Sequence, residues 1–258
     1  MASCMKNIRL IISYDGGRFL GWQKTSMGPS IEENLENVLH QILQEPIILQ
    51  AASRTDAGVH AHEQVVNFFT EKPIDLNKIT NSLNRLLPKD IVVLDAQIAP
   101  DHFHPTLDCL SKEYRYYIST GPIQPPNHRF YAWHCPGHLD KELIKKAAEQ
   151  LVGTHDFSAF CNLKPSESYT HHMREVLNIQ IHETDAHHFY FQVMGKSFLY
   201  KMVRNIVGTL IFVGKGKLRC EDIPLLLSCR DRTKIGMTAP AHGLTLYRLN
   251  YANGLLRS

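Results

Sequence analysis

Asp56 is the residue whose type and setting most invite chemistry. It lies in residues 51–62, AASRTDAGVHAH, directly after Arg54 and Thr55 and two positions before Gly58. Apolar residues 47–49 precede this polar dozen, and Val65, Val66, Phe68 and Phe69 follow it. The pattern reads as a strand end, a tight loop and the start of another strand, a place where a rigid scaffold holds functional side chains out. An ionised aspartate there could act as a nucleophile, and Arg54 could reach a phosphate. Gly58 would allow a positive φ or a close backbone approach. Taken alone, the run also fits a plain hairpin connection with an Asx turn at Asp56.

Four further stretches carry polar or aromatic residues in unusual density. These are YDGGRFLGWQ (14–23), DHFHPT (101–106), SKEYRYYI (111–118) and SFLYKMVRNIVGTL (197–210), and the chain closes with GLTLYRLNY (243–251). YDGGRFLGWQ matches neither GxGxxG nor GxxxxGK, so it is not read as a phosphate-cradling loop. Together with the nine residues SRTDAGVHA (53–61), these stretches resemble, in order and over nearly the whole chain, the tRNA pseudouridine synthase A family. The resemblance implies an enzyme that isomerises uridine to pseudouridine at positions 38, 39 and 40 of the tRNA anticodon stem-loop, with Asp56 as nucleophile. It also implies that Tyr114 packs on the flipped uridine, that Arg204 faces the cleft and that Leu244 walls the base pocket. Arg54 would swing toward phosphate or occupy the space the nucleotide leaves. After the Phe-His pair the family pattern usually continues with an arginine; here Pro105 and Thr106 stand instead. Without the resemblance, Tyr114, Arg204 and Leu244 would each be assigned to packing.

Such a reaction breaks the N–C1′ bond, turns the base and rejoins it through C5. It needs a group to attack sugar or base or to assist departure of the base, a route for the C5 proton and a dry pocket. No net redox or group transfer occurs, so no cofactor is expected. Whether Asp56 attacks C1′, attacks C6 or promotes elimination is open at this level. Two rivals are a noncatalytic RNA-binding protein and a metal-dependent RNA hydrolase built on the histidines. The 15 histidines include pairs such as His60/His62 and His187/His188, but none has HExxH or Cys/His ligand spacing, so no metal is expected.

The elements that must position these residues follow from periodicity. Ile8, Leu10 and Ile12 alternate as a half-buried strand; Ser30 caps a helix along Ile31, Leu35, Val38, Leu39 and Ile42, with Glu33 able to close a capping box. Strands to about 52 and over 63–70, a helix over 75–87 stopped by Pro88, and a strand over 91–98 complete the first half. The second half repeats the order: a strand through Tyr114, Tyr116 and Ile118, a helix over 139–151, strands near 174–183 and 188–194, a helix over 197–213, a short helical piece near 221–228 and the closing strand. The expected fold is therefore α+β: two similar split β-α-β (ferredoxin/RRM-like) halves with mainly antiparallel sheets packed side by side, and an active-site cleft between them. The expected domains are 1–105, carrying the Asp56 loop, and 106–258, carrying Tyr114 and the 197–213 helix. Residues 162–172 are expected as an exposed, mobile loop.

Bulk properties fit this picture. The chain has 258 residues, 43% hydrophobic and 21% charged, as in a soluble globular protein. No apolar run approaches the ~20 residues of a membrane span, and the start lacks a secretory signal, so a cytoplasmic enzyme is expected. Six scattered cysteines without a CxxC pair are read as free thiols. With 28 Lys and Arg against 25 Asp and Glu, the net charge is only +3, so RNA binding must rest on local basic surface. Arg85, Lys89, Arg129, Lys164, Lys196 and Lys201 are the candidates for gripping phosphates. The resemblance implies a homodimer.

Overall fold

The computed structural model describes residues 5–162 and 169–252. Lys164, Cys4 and residues 163–168 of the expected loop lie outside them. The chain divides into two compact units, Met1–Leu110 with Thr245–Ser258, and Ser111–Leu244.

In the first unit, β1 (Lys6–Tyr14), α1 (Ile31–Leu43), β2 (Gln50–Ala51), β3 (His60–Thr70), α2 (Leu76–Leu86) and β4 (Ile91–Ala99) follow one another. The sheet runs β4-β1-β3, antiparallel throughout, and β2 adds to β3. That is the strand order of a split β-α-β unit. Ser30 caps α1 by accepting from the Glu33 amide at 3.2 Å, and Asp75 caps α2 through Lys78 at 3.0 Å. Each such cap stabilises its helix by about 1 kcal/mol. Ile31, Leu35 and Leu39 are fully buried as their spacing predicts, whereas Val38 and Ile42 are only half-buried.

Two local expectations change. β3 begins at His60, three residues earlier than expected, which shortens the Asp56 loop. β1 is buried on both faces: besides Ile8, Leu10 and Ile12, Asn7 and Arg9 are also inside. For Asn7 the reason is the segment after β4, and for Arg9 it is the facing residue of β4. Asn7 donates to the carbonyls of Pro100 (3.0 Å) and Phe103 (2.9 Å) and accepts from Asn67 (2.7 Å). Arg9 donates to Gln97 at 2.6 Å. The polar half of β1's alternation is thus satisfied by chain, which periodicity cannot show.

The second unit contains β5 (Cys109–Ser119) from Ser111 on, β6 (Trp133–His134), α3 (Lys141–Glu149), β7 (Gly153–Asp156), β8 (Met173–Glu183), β9 (His188–Gly195), α4 (Met202–Gly214) and α5 (Ile223–Ser228); β10 (Leu244–Tyr251) is the last described strand. β5, β9, β8 and β7 lie in that order, antiparallel, with β6 beside β5. Tyr116, Ile118, Phe189, Phe191 and Val193 fill the core with the apolar length of α4. The helix expected from Ser197 starts only at Met202, because Lys201 takes a left-handed conformation at φ 60°. The mixed α+β class with mainly antiparallel strands is as expected. The domain cut differs: β10 pairs in parallel with β3 through Thr245–His60 and Leu246–Ala61, so all but its first residue belongs to the first unit. Strand periodicity says nothing of which edge a last strand joins.

The five described cysteines are free thiols. No helix of the described residues is long and apolar enough to cross a membrane.

Candidate active site

Asp56 sits half-buried between Thr55, which is buried, and the turn at Ala57 and Gly58. The loop is held from both sides. Upstream, the buried Gln64 side chain donates to the Ser53 carbonyl at 2.5 Å, and the Ala52 amide donates to Val65. At Thr55, the side-chain oxygen lies 2.8 Å from the Tyr14 hydroxyl and the carbonyl accepts from the Trp22 amide at 3.0 Å. Downstream, Val59 donates to the Asp56 carbonyl at 3.1 Å and Gly58, at φ 77°, donates to Phe19 at 3.3 Å. The expected positive φ at Gly58 is present.

The loop over residues 14–23 therefore serves as the bracket for the Asp56 loop. Its composition follows from the closeness of that contact. A Cβ at Gly16 would lie 1.9 Å from the Val59 carbonyl oxygen. Gly21 has φ 96°, and a Cβ there would lie 2.7 Å from the Thr55 carbonyl oxygen, so only glycine fits. Trp22 is 2% exposed and closes the bracket. At the loop's far end the Gly16 amide points at His60 Nδ1 (3.1 Å), while Asp15 Oδ1 stands 3.0 Å from the same nitrogen. That nitrogen serves one of them at a time, Gly16 when bare and Asp15 when protonated.

Arg54 is exposed beside this loop. Arg85 and Lys89, also of the first unit, are exposed as well.

In the second unit, Tyr114 is 6% exposed, paired across the sheet with Val193 and set edge-on to Phe198 at 5.4 Å. Two residues along the same strand face, Tyr116 is fully buried; its hydroxyl donates to the Pro240 carbonyl at 2.7 Å. A Cβ at Gly243 would lie 2.7 Å from its ring, so Gly243 makes room for that tyrosine. Burial pushes the Tyr116 phenol up from its ordinary range, and the nearby Arg204 charge opposes that in part. Arg204, half-buried on α4, donates through Nε to the Ala239 carbonyl at 2.7 Å, and the Ala239 amide returns a bond to the Arg204 carbonyl. Leu244, 5% exposed, follows Gly243. Arg204 is thus tied to Ala239, while Tyr116 meets Pro240 and Gly243, the neighbour of Leu244; Tyr114 stands two residues along β5 from Tyr116, against Phe198.

Beneath this segment lies a polar knot. Asn205 is fully buried; its amide donates to the Phe160 carbonyl (2.7 Å) and Asn162 (2.8 Å), and its oxygen accepts from Arg232 (2.9 Å) and Thr238 (2.7 Å). Asn205, Arg232, Thr238, Tyr116, Tyr14 and Gln64 were not among the site candidates read from the sequence. Tyr116 lies within the tyrosine-rich run and Tyr14 opens the glycine-rich one. Those runs were the signal, but nothing local distinguished these members. Arg129 and Lys196 are exposed, and Lys201 lies over the Tyr200 ring. Among the described residues no three His, Cys, Asp or Glu side chains come together as a candidate metal site.

The chain is similar to known proteins over nearly its whole length. The family model described as tRNA pseudouridine synthase matches residues 10–108 and 147–252. A relative from Protochlamydia amoebophila (strain UWE25), named tRNA pseudouridine synthase A 2, is 52% identical over 252 residues, covering 97% of this chain and 96% of its own. One from Thermoanaerobacter sp. (strain X514), named tRNA pseudouridine synthase A, is 40% identical over 247 residues, covering 96% and 100%. Among solved structures, a Cbf5–Nop10–Gar1 complex aligns with 93% of this chain and 48% of its own at 14% identity and a TM-score of 0.39, a likeness too weak to carry an argument. Likeness at this level along both units places the chain in the tRNA pseudouridine synthase family, whose reaction is the isomerisation of uridine in tRNA.

Proposed function

We propose that the chain converts uridine to pseudouridine at positions 38, 39 and 40 of the tRNA anticodon stem-loop, with Asp56 as the nucleophile. The observation that carries this reading is the loop 53–59, whose backbone is tied on both sides of Asp56 and whose carboxylate is only half-buried. A nucleophile must be held close to its near-attack position before substrate arrives, and a loop so tied costs little further ordering. Tyr114 stacks on the extruded base, replacing the neighbours it loses on leaving the helix. Arg54 contacts phosphate or the vacated position, Arg204 lines the pocket, and Leu244 supplies an apolar wall that keeps the detached base from water. The working unit is a homodimer in the cytoplasm, with one tRNA contacted by both subunits.

The test is to incubate purified protein with unmodified tRNA in chelator and map pseudouridine by position. Product confined to 38–40 is expected, and product elsewhere or none would overturn the assignment. Asp56→Asn keeps the size of the side chain and removes its charge. It should abolish turnover while leaving tRNA affinity within about threefold of wild type; appreciable product from this variant would remove Asp56 from the nucleophile role.

A further inference from the structure

Tyr14 has no part in the chemistry described above, yet it ends β1 in direct reach of the residue before Asp56. Its ring is 3% exposed, packed 6.4 Å from Trp22, and its hydroxyl meets Thr55 Oγ1 at 2.8 Å in a fully buried bond. The register of β1 against β3 shifts between Ile12 and Tyr14, and beyond the shift Tyr14 stands opposite Ala61 on β3 and Ile91 on β4. Thr55 is 8% exposed and its carbonyl is already occupied by Trp22. Both polar groups of Thr55 named here, one on the side chain and one on the backbone, are therefore anchored to the segment 14–22.

We infer that Tyr14 is a positioning residue for Asp56, acting through the Thr55 hydroxyl. The inference rests on the reading of Asp56 as nucleophile. Its physical content is geometric. Without the bond, Thr55 keeps its backbone tie to Trp22 but loses the side-chain tie that fixes its χ1 and the direction of the chain entering Asp56. The carboxylate then samples positions away from the reacting carbon. Misplacement by about 1 Å can cost on the order of 100-fold in rate while leaving ground-state binding untouched. A merely structural tyrosine would instead lower stability and leave turnover per folded molecule unchanged.

The experiment compares Tyr14→Phe, Thr55→Val and Thr55→Ser with wild type and Asp56→Asn, under single-turnover conditions with unmodified tRNA. Tyr251→Phe serves as control, because it also removes one buried hydroxyl in the same unit, bonded to the Pro105 carbonyl at 2.6 Å. Tyr14→Phe and Thr55→Val should each lower the rate by about 10- to 100-fold with tRNA affinity within about twofold of wild type. The double variant should be no slower than either single one, since both remove the same bond. Thr55→Ser keeps the hydroxyl and should restore most of the rate. Tyr251→Phe should lower the melting temperature about as much as Tyr14→Phe with no loss of rate. Wild-type rates for Tyr14→Phe, or additive losses in the double variant, would overturn the inference while an inactive Asp56→Asn left the nucleophile standing. Turnover by Asp56→Asn would overturn the reading beneath it instead.

Discussion

At the scale of single residues, Tyr114 is the sharpest case, because a buried ring can serve substrate or core. It is 6% exposed and already packed edge-on against Phe198. If it stacks on the extruded base and its hydroxyl helps move the C5 proton, Tyr114→Phe slows chemistry with affinity intact. Tyr114→Ala then also removes stacking of about 1–3 kcal/mol, weakening capture of tRNA by about 5- to 150-fold. A ring that only fills the core gives the opposite pattern: Phe is silent, and Ala costs about 3–5 kcal/mol of stability. Single-turnover rates, filter binding and thermal melts on the two variants separate these outcomes. Asp56 and Tyr114 stood out as candidates because each sits in a dense local motif that carries the family resemblance. Tyr14 and Tyr116 were not, because their hydroxyl partners stand 41 and 124 positions away.

At the scale of elements, α4 and the segment laid over it behave as one piece. Gly208 is inside the helix, where replacement of an exposed glycine by alanine ordinarily gains about 1 kcal/mol. Here a Cβ would lie 1.7 Å from the Met237 carbonyl oxygen, backbone that cannot step aside cheaply. Gly208→Ala should therefore destabilise the protein, and a raised urea midpoint would contradict the packing described. Asn205→Ala leaves the Phe160 carbonyl, Asn162 and Thr238 each short of a partner, and Arg232 short of an acceptor. It should cost about 3 kcal/mol or more, because each buried group left unsatisfied costs about 1–3 kcal/mol. Since the knot carries the segment holding Ala239 and Leu244, turnover should fall as well. A variant as stable as wild type would show that the network adds nothing net. In the first unit the edge strand β4 is closed at its middle by Asn84, whose side chain bonds both the amide (2.7 Å) and the carbonyl (2.8 Å) of Val93. That device blocks strand addition at an edge that otherwise exposes Val92, Leu94 and Ile98.

At the scale of the whole molecule, two buried phenols bear on stability at alkaline pH. Burial raises both Tyr116 and Tyr251 above the ordinary tyrosine value of about 10. A group raised on folding contributes stability that is present below its unfolded value and lost as pH rises past it. Stability should accordingly decline from about pH 10 upward, and Tyr251→Phe should make that decline shallower in urea titrations across pH 8–11. An unchanged slope would mean that other groups cause the decline. The homodimer proposed above is checked by light scattering, which should give twice the chain mass. A net charge of +3 leaves a single chain little surplus for a polyanion, so two basic surfaces sharing one tRNA would help. A mixture of Asp56→Asn subunits with subunits neutralised at Arg85, Lys89, Arg129, Lys164, Lys196 and Lys201, each inactive alone, should recover part of the activity once subunits exchange. A dead mixture with exchange confirmed would end the shared-substrate idea.

The main strands and helices, the cap at Ser30 and the Asp56 loop were determined locally, whereas the short strands β6 and β7 left no pattern of their own. Hydrophobic period, capping residues and turn residues act over a few positions and leave their mark in any short window. What only the tertiary structure decided involves groups far apart in the chain. The start of α4 at Met202 turned on one left-handed residue that periodicity does not flag. The burial of Asn7 depended on the segment after β4, some ninety residues on, and Arg9 was met by Gln97 opposite it on β4. β10 joined the first unit because its backbone met β3, and backbone hydrogen bonding carries no signature in side-chain pattern. The bracket around Asp56 is of the same kind. Glycines at 16 and 21 announce a close approach, but the chain they approach became visible only when the two loops were folded together.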